Sequence, residues 1–288
     1  MKTTARRVSS QISLVGGSRE DMLAYVKSGI ELNAKLGLDA FDIDTELILR
    51  FDDIERGVDE IKTAAYRYGK RFELCHLPFG ITPAAFDERI ESFTVKMHRA
   101  IDAAAQLGVD FAVLHPLGAT VPAEEYDAEA DRSKCLRFLE PFAEHAVKVG
   151  LNICVENMRL VKPSEFEPRR YGAAVEEVCE LVDTLGAGIC WDFGHANITG
   201  LKQSEALEYV GGRLKMLHIN DNFGLGDIHL APFMGNIDWA DAMHGVAMSG
   251  FTGLINYEVS AKRMPADLRE VFGRYLTDAA QKLIDLIV

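Results

Sequence analysis

Short runs of apolar and β-branched residues alternate along the chain with longer stretches in which apolar residues recur at the period of a helix. The short runs predict buried strands, namely Val8–Leu14, Ala40–Asp44, Phe72–His76, Phe111–His115, Asn152–Glu156, Gly188–Asp192, Leu214–His218 and Leu254–Val259. The longer stretches predict amphipathic helices, namely Arg19–Leu36, Ile54–Tyr68, Phe86–Leu107, Ser133–Val149, Tyr171–Leu185, Ser204–Tyr209, Asp238–Ser249 and Leu268–Ile287. Several of these helices end at a glycine just before the next strand, which is a common helix stop.

The order of these elements indicates one closed barrel. Strand-then-helix units follow one another with no linker between them, which predicts a single-domain (β/α)₈ barrel, a TIM barrel, over residues 1–288. The length of 288 residues fits, because such barrels usually have about 250. An open doubly wound sheet is the alternative, but no G-x-G-x-x-G segment follows a strand to form its usual phosphate loop.

Composition indicates the cellular compartment and limits the kinds of binding partner. The 31 Lys and Arg residues against 44 Asp and Glu give a net charge of −13, which argues against non-specific binding to nucleic acid or to an anionic membrane. The five cysteines are odd in number and form no C-x-x-C pair, so a reducing compartment is favoured over a disulfide framework. Because no run approaches about 18 consecutive apolar residues, we expect a soluble, cytoplasmic protein.

Successive predicted strands end, or nearly end, in a side chain that can bind a metal, namely His76, His115, Glu156, Asp192, His218 and Glu258. In a parallel barrel these ends lie at one face, where barrel active sites are built. Converging carboxylates would repel each other and would be costly to bury unless a cation compensated them. Glu156, Asp192, His218 and Glu258 offer a mostly oxygen shell that suits Mn²⁺, Mg²⁺, Co²⁺ or Zn²⁺. The sequence therefore predicts a divalent metal site at this face.

Alternation along two of these strands predicts which side chains face the barrel interior. If Glu156 and Asp192 point inward, Cys154 and Cys190 lie beneath them in the interior and Trp191 packs against the helices. The two cysteines are then core residues rather than metal ligands.

Other ligand-type residues are candidates for additional metal or substrate contacts. His195 follows the sixth strand closely, and Asp227 and His229 lie in the loop after the seventh, at a spacing that can aim both side chains one way. A surface or hydrogen-bonding role fits these loop residues equally well. The strand-end residues His76 and His115 complete this outer set of candidates.

Candidate substrate-binding groups follow the fifth and seventh strands. Asn157 and Asn220 are hydrogen-bonding side chains suited to the hydroxyls of a polyol, although a structural role is as well supported. A phosphate group on the substrate would need basic partners, for which Arg159 and Lys162 in the loop after the fifth strand are the nearest.

At these positions the sequence resembles the xylose isomerase-like TIM-barrel superfamily, which holds sugar and sugar-phosphate isomerases and epimerases together with the class-two apurinic endonucleases. The matching segments, in the expected order between residues 75 and 260, are CHLP, VLHPLG, CVEN, CWDFGHAN, LHINDN, DIHLAPFMGNIDW and YEVS. The resemblance implies one divalent metal (Mn, Co, Mg or Zn) held by Glu156, Asp192, His218 and Glu258. It also implies that the two glutamates transfer protons through a metal-stabilised enediolate. One departure is Gly224, which stands where ketose 3-epimerases have an arginine.

The endonuclease branch of the same superfamily gives the alternative, a trinuclear zinc phosphoesterase. Its nine zinc-binding residues all have counterparts here, namely His76, His115, Glu156, Asp192, His195, His218, Asp227, His229 and Glu258. Against this alternative, the chain has HINDN and DFGH where the endonucleases have HLND followed by Ser-Lys, and DTCH. We therefore predict an isomerase or epimerase of a small sugar or sugar phosphate, with no nucleic-acid or membrane partner. The sequence leaves open how many metal ions bind (up to three zinc ions) and whether the protein forms a homo-oligomer. It also leaves open a non-catalytic barrel without metal.

Overall fold

The computed structural model describes residues 7–11, 21–80, 86–160, 167–261 and 264–287. One parallel sheet contains β1 (Val8–Gln11), β2 (Ala40–Asp44), β3 (Phe72–His76), β4 (Phe111–Leu114), β6 (Asn152–Glu156), β8 (Gly188–Asp192), β9 (Leu214–His218) and β10 (Ile255–Tyr257). A separate antiparallel ribbon pairs β5 (Val121–Pro122) with β7 (Pro168–Arg169). The α-helices are α1 (Met22–Lys35), α2 (Thr45–Ile48), α3 (Ile54–Tyr66), α4 (Phe86–Leu107), α5 (Ala128–Val149), α6 (Val175–Leu185), α7 (Phe193–Thr199), α8 (Gln203–Val210), α9 (Trp239–Met248) and α10 (Ala266–Asp285).

The large sheet curls into a barrel. Its strand order is β10-β1-β2-β3-β4-β6-β8-β9, and its strand pairs are parallel. A parallel bridge between Ile219 and Tyr257 joins the two end strands, and the Ile219 amide lies 2.9 Å from the Asn256 carbonyl oxygen. The predicted single-domain (β/α)₈ barrel is confirmed.

The core has two layers, which follow from the alternation of side chains along the strands. The barrel interior is filled by small and medium apolar side chains, namely Ala40, Leu74, Val113, Cys154, Cys190, Met216 and Leu254. A larger layer that includes Trp191 packs between the strands and the helices. The predicted placement of the two cysteines in the interior and of the tryptophan against the helices is confirmed.

The helices surround the barrel as amphipathic elements. In α3, for example, Val58 and Ile61 are buried while Glu55 and Asp59 are exposed. Over the ranges that the structure describes, no helix is both long and apolar enough to cross a membrane.

Several element bounds differ from the sequence prediction. Helix α5 begins before the predicted Ser133, because the Asp127 side chain accepts a hydrogen bond from a backbone amide of its first turn. Helix α6 begins after the predicted Tyr171, because Gly172 has a φ of 83° that a helix cannot contain. Strand β4 stops one residue before the predicted His115. The end of the first predicted strand and the start of the first predicted helix lie outside the described residues.

Two short helices that the sequence did not predict begin directly at strand ends. Asp44 closes β2 and caps α2, and Asp192 closes β8 and caps α7, each by accepting a hydrogen bond from a backbone amide of the helix. Each aspartate thereby turns the chain sharply at the carboxyl end of its strand.

At the opposite end of the barrel, an exposed arginine neutralises a buried carboxylate, and we expect the loss of this ion pair to be costly. Two Arg7 nitrogens each lie 2.6 Å from a carboxylate oxygen of Glu73, whose side chain is buried. The next nearest cation is Arg71, whose Nε is 3.5 Å from Glu73 Oε1. Replacing Arg7 by Met would leave this carboxylate without its main partner, so the free energy of unfolding in urea should fall by about 2 kcal/mol. Arg274→Met is the control, because it removes only an exposed pair and should change this free energy by about 0.5 kcal/mol or less; equal losses in the two variants would contradict the prediction.

Candidate metal centre

The polar side chains that end the strands converge at one end of the barrel. Atoms able to bind a metal lie within 4.8 Å of one another in one group formed by Glu156, Asp192, His218 and Glu258. A second such group is formed by His76, His115 and again Glu156. The predicted ligands are therefore neighbours in space, and their binding of a metal stays a prediction.

Asp192 is held rigidly, because two elements bind its carboxylate. Its Oδ1 accepts a hydrogen bond from the His195 amide at 2.6 Å, as the cap of α7. Its Oδ2 accepts from the side-chain amide of Asn220 at 2.7 Å. Both donors are buried, so the carboxylate is oriented before any ligand arrives.

His218 shows that the first group suits a cation. Its ring is fully buried, and its Nδ1 lies 3.2 Å from Glu258 Oε2 and 3.4 Å from Glu156 Oε2. Neither ring nitrogen makes a well-formed hydrogen bond to a described residue. Buried polar atoms are nearly always satisfied, and a metal ion placed between the imidazole and the carboxylates would satisfy this one. The donor set of three carboxylates and one imidazole therefore fits a divalent ion.

The charges of the centre also call for a cation. Burial, opposed by His195 and reinforced by the two glutamates, raises the pKa of Asp192 to about 7. Burial would raise the pKa of Glu258 as well, but the positive charge of His218 outweighs it and lowers this pKa to about 2. The charge of His218 thus keeps Glu258 ionised, whereas burial outweighs His195 and favours the neutral form of Asp192. A dication can take over that role and release the proton from His218.

Three histidines around the centre are oriented in the same way. Nδ1 of His76, His195 and His229 lies 2.7, 2.9 and 2.8 Å, respectively, from a backbone carbonyl oxygen. Because a carbonyl only accepts, Nδ1 carries the hydrogen, so Nε2 can donate to a carboxylate when the ring is an imidazolium or offer its lone pair when the ring is neutral. Nε2 of His76 faces His115 at 3.0 Å, and those of His195 and His229 face Asp227 at 3.4 and 3.0 Å. All five predicted outer residues therefore border the centre.

Asp227 already has a fixed cationic partner. Arg159 Nη1 lies 3.0 Å from Asp227 Oδ2, on the same oxygen that faces His195. Burial alone would raise the pKa of Asp227, but hydrogen bonds from His195 and His229 outweigh it and hold this pKa below its usual range. This carboxylate is thus neutralised by side chains of the protein itself.

The two predicted substrate-binding asparagines lie beneath the site. Asn157 accepts from the Asp192 amide at 2.7 Å and donates to the Asp192 carbonyl at 3.0 Å. Asn220 donates to the Asp192 carboxylate, and both asparagines are buried. They position a predicted ligand, and a role toward substrate stays a prediction.

A cavity of about 410 Å³ opens above the centre, within the usual size range of small-molecule sites. Its walls include the predicted glutamates together with Phe79, Met158 and Arg170. Phe79 packs over the His76 and His115 rings at centroid distances of 5.0 Å each. Lys162, predicted as a basic partner for a phosphate, lies outside the described residues.

Gln11 is a site residue that the sequence reasoning missed. It ends β1, and its side-chain amide donates to Glu258 Oε1 at 3.3 Å. The sequence prediction placed Gln11 inside a strand that ran to Leu14, so the strand-end pattern did not select it.

Gly194 offers a test of the support beneath Asp192. A Cβ atom at this position would lie 2.0 Å from Asn220 Oδ1 and 2.8 Å from Asn222 Nδ2. Replacing Gly194 by Ala should therefore displace Asn220 and lower the affinity for Mn²⁺ by about 10- to 100-fold, as measured by titration calorimetry. Gly212→Ala is the matched control, because its Cβ meets no atom within 4 Å. Unchanged Mn²⁺ affinity in the Gly194 variant would show that Asn220 does not position Asp192 for metal binding.

Relatives of this chain occur in distant microorganisms. An uncharacterized protein of Methanocaldococcus jannaschii is 29% identical over 217 residues, which cover 73% of this chain and 72% of that protein. An uncharacterized protein of Mycobacterium leprae is 26% identical over 258 residues, which cover 81% and 84%. Neither name states an activity.

Solved structures with the same architecture include several named epimerases. A D-tagatose 3-epimerase-like protein superposes with a TM-score of 0.73 at 21% identity, covering 98% of both chains. The 3-keto-D-glucoside 4-epimerase of E. coli gives 0.72 at 16% identity, covering 96% of this chain and 98% of that one. The D-allulose 3-epimerase of Methylomonas sp. gives 0.70 at 18% identity, covering 96% and 97%. At these identities the likeness shows the fold.

The family is shown by the sequence itself. The profile described as xylose isomerase-like TIM barrel matches residues 30–278, which is most of the chain. The resemblance predicted from the strand-end motifs is thereby confirmed. The chain belongs to the xylose isomerase-like TIM barrel family.

Proposed function

We propose that this protein is a divalent-metal-dependent isomerase or epimerase of a sugar or sugar phosphate. The observation that carries the proposal is the group formed by Glu156, Asp192, His218 and Glu258 at the base of the cavity, with two glutamates that also line the cavity wall. One ion of Mn, Co, Mg or Zn suits this donor set. The epimerases among the structural neighbours support the same reaction class.

The two glutamates are suited to proton transfer and are held differently. Glu258 Oε1 accepts from Gln11, and its side chain is 15% exposed toward the cavity. Glu156 is almost fully buried, with Oε1 3.2 Å from His195 Nδ1 and Oε2 2.9 Å from His115 Nε2. When bound, a divalent ion would polarise the substrate's carbonyl and hydroxyl oxygens and stabilise the charge left after a proton departs.

The outcome of the reaction depends on where the proton is returned. One glutamate removes a carbon-bound proton beside the carbonyl, and it holds that proton at an Oε atom. Return of a proton by the other glutamate to the opposite face of the same carbon inverts that centre. Return to the neighbouring carbon, with the hydroxyl proton passed to the former carbonyl oxygen, moves the carbonyl instead. Inversion by this route needs a carboxylate on each face of the substrate, and this cavity is lined by two glutamates.

The alternative, a trinuclear zinc phosphoesterase, has one observation in its favour and one against. The second group of potential ligands, His76, His115 and Glu156, could hold a further ion. A third ion bound by Asp227 would have to share this carboxylate with the Arg159 guanidinium, whose like charge would oppose it. We therefore favour the isomerase or epimerase reaction.

Solvent exchange tests the proposal. The Mn²⁺- or Co²⁺-loaded protein is incubated in deuterated water with a panel of ketoses, inososes and sugar phosphates, and loss of the C–H signal beside the carbonyl is followed by NMR. We expect exchange in at least one compound, absent in Glu156→Gln and retained in Glu208→Gln, an exposed residue of α8. No exchange across the panel would contradict the proposal.

Metal content and an incision assay distinguish the isomerase or epimerase from the zinc phosphoesterase. Elemental analysis should find about one ion per chain for the isomerase or epimerase and about three zinc ions for the phosphoesterase. Chelator-sensitive incision of a duplex with an abasic site would establish the phosphoesterase.

A further inference from the structure

Arg170 lines the cavity beside the candidate metal centre, and no described carboxylate forms an ion pair with it. Its Nη1 donates a long hydrogen bond of 3.4 Å to the Arg159 carbonyl oxygen, and its buried Nε has no hydrogen-bond partner in the described part of the chain. Two arginines line the cavity, and Arg159 pairs with Asp227 at 3.0 Å. Arg170 is thus the cavity arginine that no described carboxylate pairs with.

The neighbourhood of Arg170 adds positive charge. Arg159 lies beside it, and the charge of Arg159 is directed to Asp227. Burial and the repulsion from Arg159, only partly offset by the attraction of Glu156, lower the pKa of Arg170 to about 10. A cation held in a partly dry pocket beside another cation is unfavourable unless an anion joins it.

The wall of the cavity is shaped to hold this side chain. A Cβ atom at Gly118 would lie 3.2 Å from the Tyr171 carbonyl oxygen and 3.7 Å from Arg170 Cγ. The absence of a side chain at Gly118 therefore lets the segment around Arg170 pack closely against the loop after β4. The arginine is seated in the wall rather than extended into solvent.

We propose that Arg170 is an anion subsite, and that the substrate of this pocket carries a phosphate or carboxylate group which pairs with its guanidinium. Arginine suits both anions, because its planar fork of N–H donors matches their oxygen pairs. The inference rests on the proposed function only for the claim that the cavity holds substrate. It narrows the substrate class from sugars in general to sugar phosphates or sugar acids.

Binding of simple anions tests the subsite without knowledge of the sugar. Inorganic phosphate and acetate are titrated by calorimetry into the protein as purified, into Arg170→Met and into Arg169→Met. Arg169 is the matched control, because it is the adjacent arginine, is exposed and pairs with Glu167. We expect Arg170→Met to weaken binding of at least one anion by about 10- to 100-fold and Arg169→Met to leave it within about 2-fold. Arg170→Lys should recover part of the loss, because it restores the charge without the fork.

The outcomes divide clearly. Loss of phosphate binding alone assigns a phosphorylated substrate, and loss of acetate binding alone assigns a sugar acid. The proposal is overturned if the wild-type protein binds neither anion, or if the Arg169 and Arg170 variants bind equally well. It is also overturned if Arg170→Met lowers the melting temperature by more than about 4 °C with anion affinity unchanged, because Arg170 would then be a structural residue.

The anion-binding test of Arg170 can fail or succeed independently of the proposed isomerase or epimerase reaction. If anion binding depends on Arg170 but no sugar shows C–H exchange, the anion subsite is supported and the proposed isomerase or epimerase reaction is contradicted. If uncharged sugars exchange their C–H protons at rates that Arg170→Met does not alter, the proposed reaction is supported and the anion subsite is contradicted.

Discussion

Replacing Glu258 by Gln is expected to slow exchange of the substrate's carbon-bound proton by about 10³-fold while leaving the fold intact. Glutamine has nearly the same shape, and its amide oxygen can still face the metal site. It cannot accept a proton at the position where Glu258 Oε2 lies 3.2 Å from His218 Nδ1. The loss should therefore fall on kcat, with a smaller change in KM.

Metal content separates proton transfer from metal binding in this variant. Exchange is measured by NMR at saturating Mn²⁺, and elemental analysis reports the ions per chain. Slow exchange at full metal content assigns a proton-transfer role to Glu258. Exchange within about 10-fold of wild type at full metal content would rule that role out. Glu208→Gln on the surface of α8 should match wild type in both measurements.

The arrangement of the strand ends could be predicted because it follows from barrel geometry. Each parallel strand delivers one terminal side chain to the same face, so one residue per strand is enough to define the set. Glu156 and Asp192 end their strands as predicted, and alternation places Cys154 and Cys190 in the interior. Period-two patterning is a property of single strands and is visible without knowledge of the partners.

The contacts made by loops could not be predicted in the same way. The pairing of Arg159 with Asp227 joins loops from two different strands, and no periodicity relates the positions. Asn157 and Asn220 were interpreted as substrate groups because they follow strand ends, yet both bind Asp192 from below. Loop side chains are directed by turns and long-range hydrogen bonds, which a single sequence does not display.

Helix starts show the same division between local and distant causes. The cap of α5 at Asp127 is a local signal that was present in the sequence and was overlooked. The late start of α6 depends on Gly172, whose position against Pro116 is set by the loop after β4. An added Cβ at Gly172 would lie 2.9 Å from Pro116 Cγ, so glycine is needed there for reasons that only the fold reveals.

Replacing His218 by Ala is expected to abolish stabilisation of the protein by Mn²⁺. An ion that binds only the folded chain contributes about 4 kcal/mol at a concentration 1,000-fold above its dissociation constant. For a domain of this size, that corresponds to a rise of about 8–16 °C in the melting temperature. His218 is the single imidazole of the four-residue group, and its removal leaves three carboxylates that must bind the ion without it. We expect a shift of about 2 °C or less in the variant, measured by calorimetric melting with and without Mn²⁺ after chelation.

His244→Ala supplies the control, because His244 is exposed on α9, away from the strand ends, and its variant should keep the full Mn²⁺ shift. Two results would contradict the assignment of His218 as a ligand. One is a variant that keeps the wild-type shift, which would place the ion elsewhere. The other is a wild-type protein whose melting temperature does not respond to Mn²⁺, Co²⁺, Mg²⁺ or Zn²⁺. In that case the buried carboxylates would depend on protonated histidines for compensation, and the low pKa of Glu258 beside His218 would describe the working state of the site.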